Sequence, residues 1–223
     1  FGAFDLTGIG SATLVAGTQL TLQAEGLIFA EDYRERGGSA SIAQSTEVAV
    51  IPQESRLAAD FTMRAAVGGA SDSGSLKVET GAAIVTGTLG KIALEAAHDL
   101  WVDGTLSATA GSIALSLSSG AGSFQDAADL GKRSIWLGDN ARLLATGAVK
   151  PEFSTAGLRK GEVLAGGTVS LDASKLGYVV TGSGSIVDVS GTSAVFDITN
   201  QKVRSNVVNP AMTVAGNAGS TAR

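Results

Sequence analysis

Cysteine is absent from this chain of 223 residues, proline occurs only 3 times, and aromatic residues make up only 5% of the sequence. Without cysteine the chain can form neither disulfides nor thiolate metal sites. Basic residues number 16 against 21 acidic ones, and they form no stripe of the kind that nucleic-acid-binding proteins carry. No apolar run is long enough to cross a membrane as a helix. These absences argue against nucleic acid as a partner and against a membrane span.

Glycine, in contrast, is plentiful, and many of the 30 glycines open short strand-like segments. In each segment the glycine is followed by a polar residue and then by an apolar-x-apolar pattern, which is typical of a strand with one buried face. Four copies stand out: Gly74–Val78, Gly90–Leu94, Gly111–Leu115 and Gly167–Leu171. Copies at intervals of roughly twenty residues predict an all-β solenoid of stacked coils. The glycine before each strand permits a sharp corner with a positive φ.

Two longer segments, Gly90–Gly111 and Gly167–Gly191, align well with each other. Each holds a glycine-led strand and then an aromatic-bearing strand, Leu100–Val102 in the first and Tyr178–Val180 in the second. An interrupted third copy lies between them, and its Ile135–Leu137 matches Leu100–Val102. Coils of this kind lie about 4.8 Å apart, so about eight to ten coils predict a rod on the order of 40 Å long.

The residues that interrupt the repeat fall in blocks, which predicts insertions that loop out at the corners of coils. We expect one β-helix segment over residues 1–199, with insertions near 31–38, 118–133 and 148–166, and an irregular tail or linker over 200–223. The charged block at 31–38 is expected to be a loop. Because the sequence begins with neither methionine nor a basic-then-apolar leader, we interpret it as a mature or excised piece of a longer protein.

The runs Gly74–Leu117 and Gly167–Gly191 resemble the repeats of filamentous-haemagglutinin-type exoproteins. These are very long proteins of Gram-negative bacteria that leave the cell by two-partner secretion. The resemblance implies a right-handed parallel β-helix and secretion to the bacterial cell surface. It also implies an outer-membrane transporter as a partner of the parent protein, and a role in adhesion, including biofilm formation.

One feature departs from that family. Its amino-terminal secretion domain carries an Asn-Pro motif near its start, whereas here Asn209-Pro210 stands near the end. We therefore expect an interior segment of the fibre. Its partner would be a glycan or protein of a host or bacterial surface, or a neighbouring fibre. The alternatives are a polysaccharide-active β-helix enzyme (a lyase or hydrolase) and a carbohydrate-binding module that uses the insertions. We expect no enzymatic activity and no cofactor. Nucleotide binding in particular has no support, because the glycine-rich stretches precede strands and form no phosphate-binding turn.

Two aspartates are the candidates for a metal site or an acid/base pair. Asp103 and Asp139 follow the aligned tryptophan strands at nearly equivalent corners. Carboxylates stacked one coil apart could bind Ca²⁺ or act as an acid/base pair on a polysaccharide. The alternative is that aspartate stands there as a favoured turn residue.

Candidates for a contact surface lie on the aromatic strands and in the insertions. In Leu100–Val102 and Ile135–Leu137 the aliphatic residues flank a tryptophan, so the tryptophan faces outward if they belong to the core. Tyr178 does not fit this register. The insertions add charge and phenylalanine to a chain poor in both. The candidate contact residues are Trp101, Trp136, Phe124, Lys132, Arg133, Phe153, Arg159 and Lys160.

The alternation of Ile113–Leu117 predicts the effect of a charge on the core. We expect Ile113→Asp to lower the free energy of unfolding by several kcal/mol, because it would bury an unpaired carboxylate between coils. Ser112→Asp, on the corner, should be nearly neutral. Thermal melting of the two variants checks this, and equal losses would contradict the inward position of Ile113.

Overall fold

The computed structural model describes residues 4–9, 11–22, 27–35, 42–50, 58–66, 74–118, 133–152, 158–173 and 177–197, and within them all regular structure is β. Within these residues no helix is long and apolar enough to cross a membrane. Three parallel sheets of five strands each account for most of the strands. The prediction of an all-β fold built from parallel, stacked strands is confirmed.

Each sheet collects the strand at one position of the repeat. The first sheet holds β1 Phe4–Ile9, β6 Phe61–Ala66, β9 Lys91–Ala96, β12 Ser112–Leu117 and β17 Thr168–Asp172. The second holds β2 Ala12–Leu14, β7 Leu76–Val78, β10 Asp99–Val102, β13 Ser134–Leu137 and β18 Tyr178–Thr181. The third holds β3 Gln19–Leu22, β8 Ala83–Thr86, β11 Thr105–Ala108, β14 Arg142–Leu144 and β19 Ile186–Asp188.

We use the word coil for a set of three consecutive strands, one from each sheet, taken in chain order. The described residues contain five such coils. Every strand pairs in parallel with its counterpart in the next coil, so the order along the chain is the order in the stack. Eight to ten coils were expected for the whole chain, and five are seen in the described residues. Much of the chain goes into segments between the strands, and five coils at about 4.8 Å span about 19 Å.

A single apolar core runs through the stack. Alternate residues of the strands point into it, as the burial patterns of β9, β10, β12 and β13 show. In the second sheet, Leu76, Leu100 and Ile135 follow one another from coil to coil and are fully buried. In the third sheet, Ile84, Leu106 and Leu143 do the same. Each coil therefore buries its apolar residues against its neighbours, as the repeat predicted.

The fifth coil is less covered than the middle ones. Val179 occupies the same position as Ile135 and is 43% exposed, and Val187 occupies that of Leu143 and is 48% exposed. Both have a neighbouring coil on one side among the described residues. The complete core therefore lies in the second, third and fourth coils.

Two antiparallel hairpins stand apart from the three sheets. Strand β4, Leu27–Glu35, pairs with β5, Ile42–Val50, between the first and second coils. The expectation of a loop at 31–38 was therefore wrong for residues 31–35, which belong to strand β4. Residues 36–38 lie outside the described residues. Strands β15, Ala148–Glu152, and β16, Lys160–Leu164, form the second hairpin. Of the insertion expected at 118–133, residues 119–132 lie outside the described residues.

Two details of the expected repeat alignment were also wrong. The glycine-led copy at Gly74 was expected to correspond to the other three, but Leu76–Val78 belongs to the second sheet and pairs with Leu100–Val102. The aromatic strand of the fifth coil is offset by one residue, because Leu100 aligns through Ile135 with Val179. The match between Leu100–Val102 and Ile135–Leu137 is confirmed.

The glycines at the corner before the first sheet are required by close packing. A Cβ on Gly111 would lie 1.9 Å from the carbonyl oxygen of Gly90, and one on Gly167 would lie 1.9 Å from that of Gly111. The same carbonyls accept hydrogen bonds from Ser112 and Thr168, both at 3.0 Å. At Gly90 and Gly111 the positive φ falls on the residue before the glycine, at Leu89 and Ala110, with φ of 68° and 51°.

Gly111→Ala is therefore expected to lower the free energy of unfolding by about 2 kcal/mol or more, because backbone atoms of two coils must separate. Gly191→Ala is the matched control, since a Cβ there meets nothing within 4 Å. Its effect should stay within about 0.5 kcal/mol. Chemical denaturation of the two variants measures the difference, and a neutral Gly111→Ala would show that the coils do not approach so closely.

Candidate functional site

The outer face of the second sheet carries a column of aligned side chains. In-register pairing places Thr13, Lys77, Trp101, Trp136 and Val180 at one position in five successive coils. The two indole rings are stacked, with centroids 5.0 Å apart and planes within 3° of each other. Trp101 is 39% exposed, while its neighbours Leu100 and Val102 are fully buried. The tryptophans therefore point outward, as the alternation of β10 and β13 requires.

Tyr178 is exposed on the same sheet but lies outside this column. It pairs with Ser134, two residues before Trp136 along the strand. The aromatic column therefore consists of two rings in neighbouring coils.

A carboxylate follows the second-sheet strand in the second and third coils. Glu79 and Asp103 hold equivalent positions, since their amides donate to the equivalent carbonyls of Leu14 and Val78. Glu79 accepts a hydrogen bond from the amide of Ala16 at 3.1 Å, one coil before it. That bond, more than the nearby Lys77 ammonium, lowers the pKa of Glu79. Glu79 therefore joins the first and second coils at this corner.

Asp103 joins three coils at the same corner. Its Oδ2 accepts a short hydrogen bond from the Thr80 hydroxyl of the second coil. Its Oδ1 accepts from the Asn140 amide of the fourth coil at 2.9 Å. The Thr80 hydroxyl is the main reason that the pKa of Asp103 lies below its ordinary value, and the Asn140 bonds add to the effect. Gly138 leaves the room for this carboxylate, because a Cβ there would lie 2.1 Å from Oδ1.

Asp139 is not the counterpart of Asp103. The amides of Asp103 and Gly138 donate to the equivalent carbonyls of Val78 and Val102, so Asp139 stands one residue further along. Its carboxylate lies 3.4 Å from the Gly184 amide and 3.4 Å from the Ser183 hydroxyl of the fifth coil. Both aspartates thus bind turn groups of the next coil. Among the described residues no group of three or more histidine, aspartate or glutamate side chains is placed to hold a metal ion.

A shallow hollow of about 330 Å³ opens beside Trp101. It is lined by Ala16, Lys77, Glu79, Thr80, Trp101 and Asp103. These residues come from the first three coils, whereas Trp136 belongs to the fourth. The hollow therefore lies on the side of Trp101 that faces away from Trp136.

Charged side chains meet at a second corner, between the first and second sheets. The Nδ1 atom of His98 lies 2.6 Å from a carboxylate oxygen of Asp99, whose other oxygen accepts from the Ser134 amide at 3.2 Å. Arg133, expected on the contact surface, is only 4% exposed. Its guanidinium donates to the carbonyl of Ser118 at 2.5 Å, and burial lowers its pKa while Asp99 partly offsets that effect. Arg133 is therefore a residue of the corner and no part of an open surface.

The second hairpin is held to the segment that follows the fifth coil. The Arg159 guanidinium pairs with Asp197 at 2.9 Å, and its backbone amide donates to the same carboxylate at 2.7 Å. This contact raises the pKa of Arg159 and lowers that of Asp197. Lys160 is exposed at the start of β16. Phe124, Lys132 and Phe153 lie outside the described residues.

Sequence reasoning identified Trp101, Trp136 and Asp103 but missed Lys77, Glu79 and Thr80. The signal was present in the sequence. Leu76-Lys77-Val78-Glu79 and Leu100-Trp101-Val102-Asp103 share an apolar-x-apolar pattern followed by an acid. Gly74 makes this segment resemble the glycine-led strands of the first sheet, which obscured its correspondence to Leu100–Asp103. Comparison of the chain with protein-family models, with curated proteins and with solved structures finds no match.

The Asp103 corner predicts a dependence of stability on charge and pH. Asp103→Asn should lower the free energy of unfolding by about 1 kcal/mol, because an amide cannot accept all the hydrogen bonds the carboxylate receives. Since the pKa of Asp103 is lowered on folding, its contribution is present above the ordinary pKa of 3.8 and is lost as the pH falls below it.

Asp139→Asn is the matched control. It should lower the free energy of unfolding by less than Asp103→Asn does, because both contacts of the Asp139 carboxylate are long, at 3.4 Å. Melting temperatures of the parent chain and both variants between neutral pH and about pH 3 measure the effect. An Asp103→Asn variant that loses as much stability on acidification as the parent would contradict this role of the carboxylate.

Proposed function

We propose that this chain is a structural and adhesive segment of a large secreted bacterial surface fibre, which contacts cell surfaces or extracellular matrix. The observation that carries the proposal is the stacking of five coils in register over one core, with a stacked tryptophan pair on one outer face, of which Trp101 is exposed and Trp136 is partly buried. Stacked coils form an elongated scaffold whose length grows with each repeat. Exposed aromatic residues are enriched where proteins make contacts.

The fold we propose for the full stack is a closed, right-handed parallel β-helix. Support comes from the core cluster, which draws on all three sheets, and from the identical strand order in each sheet. Connections between parallel strands of one sheet are right-handed in about 98% of cases, and the path from β9 through β10 and β11 to β12 is such a connection. The resemblance to filamentous-haemagglutinin-type exoproteins agrees with this fold. It is also the basis for proposing export through an outer-membrane transporter.

We do not propose the enzymatic alternative. A general acid in a polysaccharide-cleaving enzyme needs a carboxyl group with a raised pKa. The pKa of Asp103 is shifted in the opposite direction by Thr80 and Asn140. Asp103 and Asp139 each engage groups of a turn, which agrees with their interpretation as corner residues.

The adhesive role predicts a loss of binding when the tryptophan pair is removed. Beads coated with the protein are expected to be retained on epithelial monolayers, on matrix-coated plastic or on fixed Gram-negative cells. Trp101→Ser combined with Trp136→Ser should reduce retention about threefold or more, because truncated aromatic anchors lose most of their contact energy. Retained beads are counted after washing under flow.

Val195→Ser is the control, since Val195 is an exposed apolar residue outside the three sheets. It should leave retention unchanged. Circular dichroism confirms that each variant keeps its β structure at the assay temperature. Beads that adhere to none of the three surfaces, or that adhere equally well without the tryptophans, would refute the proposal.

A further inference from the structure

The hollow beside Trp101 has the dimensions of a small-ligand site. Its volume of about 330 Å³ lies near the lower end of the range of about 300–1,000 Å³ found for such sites. Its floor and walls come from the first three coils, whose strands are held in register. A hollow of this size suits a short oligosaccharide better than a large cofactor.

One wall of the hollow is aromatic and firmly held. Trp101 is stacked against Trp136 on its far side, and its flanking residues Leu100 and Val102 are anchored in the core. The side toward the hollow borders Lys77, the preceding residue of the column. A rigid indole next to open space offers an apolar surface on which the C–H face of a sugar ring can pack.

The rim of the hollow supplies both donors and acceptors. Lys77 contributes an ammonium group, which lies 3.2 Å from Glu79, and Thr80 contributes a hydroxyl. Glu79 and Asp103 contribute carboxylates, and hydrogen bonds from Ala16 and Thr80 respectively keep the pKa of each low, so both are ionised near neutral pH. A carboxylate accepts about four hydrogen bonds. Glu79 receives contacts from Ala16 and Lys77, which leaves it acceptor capacity for a ligand.

From this combination we infer that the hollow beside Trp101 binds a neutral pyranose saccharide. A sugar presents an apolar face to an aromatic ring and hydroxyl groups, each both donor and acceptor, to a mixed polar rim. The inference rests on the proposed adhesive function and names the ligand class of its contact face. It places the carbohydrate site on the strand face and not in the insertions.

The charges of the rim argue against other ligands. Two carboxylates face one ammonium group, so the hollow carries an excess of negative charge. That excess repels sulfated or sialylated glycans and the phosphates of nucleotides. A quaternary ammonium ion would suit the indole, but it would meet the Lys77 ammonium and leave the acceptors and donors of the rim without partners.

Intrinsic fluorescence tests the inference, because the chain's two tryptophans are Trp101 and Trp136. The probes are neutral trisaccharides of glucose, mannose and N-acetylglucosamine, with a sulfated heparin disaccharide and tetramethylammonium chloride for contrast. We expect a saturable change of emission with at least one neutral trisaccharide, with a Kd of about 1 mM. Saturation-transfer NMR of the ligand gives an independent measure for the variants.

Trp101→Leu should weaken binding about tenfold or more, because it removes the ring that lines the hollow. Tyr178→Leu is the matched control, since it removes an exposed aromatic ring of the same sheet that does not line the hollow, and it should change the Kd by about twofold at most. Lys77→Met, at an exposed position, should weaken binding about threefold and keeps the test valid if Trp101→Leu fails to fold.

Absence of binding by every neutral trisaccharide overturns the inference, as does binding of the sulfated sugar or tetramethylammonium alone. Equal losses of affinity in Trp101→Leu and Tyr178→Leu would overturn the placement of the sugar in the hollow. Beads that adhere through the tryptophan pair without binding any of the saccharides would leave the adhesive function standing while this inference fails. Beads that fail to adhere while the isolated protein binds a neutral trisaccharide would leave the saccharide site standing while the adhesive function fails.

Discussion

The close approach of consecutive coils is the constraint on which the rest of this structure depends. Backbone pairing in three sheets fixes the distance between coils at that of hydrogen-bonded strands. At the corner before the first sheet, Gly111 and Gly167 meet this distance because glycine has no Cβ to place against the carbonyls of Gly90 and Gly111 in the preceding coil. The register of every strand, and so the position of every outward side chain, follows from that packing.

Register in turn makes the candidate site. Lys77, Trp101 and Trp136 are far apart in sequence, yet they occupy one column because Leu76, Leu100 and Ile135 stack in the core beneath them. The corner carboxylates have a double role. Glu79 and Asp103 bind turn groups of neighbouring coils and also line the hollow. Stability and binding chemistry therefore share residues at this corner, so a change there affects both.

Much of this organisation could be predicted from the sequence, because the repeat is a local pattern. The glycine-led strands, the alternation of Ile113–Leu117 and the match of Trp101 with Trp136 followed from the spacing of apolar residues. What failed depended on information that spacing does not carry. Leu76–Val78 has the same pattern as a first-sheet strand, and only its pairing with Leu100–Val102 reveals the second sheet. The charged stretch at 31–35 was read as a loop from its composition, and only its pairing with 42–46 reveals a strand.

The position of the hollow within the stack has a physical consequence for binding. Except for Ala16 of the first coil, its lining comes from the second and third coils, where the core is complete, and it lies away from the fifth coil, where Val179 and Val187 remain half-exposed. Trp101 is fixed by its core neighbours and by Trp136, and Asp103 by Thr80 and Asn140. The entropy of ordering these side chains is therefore lost during folding and not at the moment of binding. A shallow site with a single aromatic wall gains little contact area, so this preorganisation is what makes a measurable affinity attainable there.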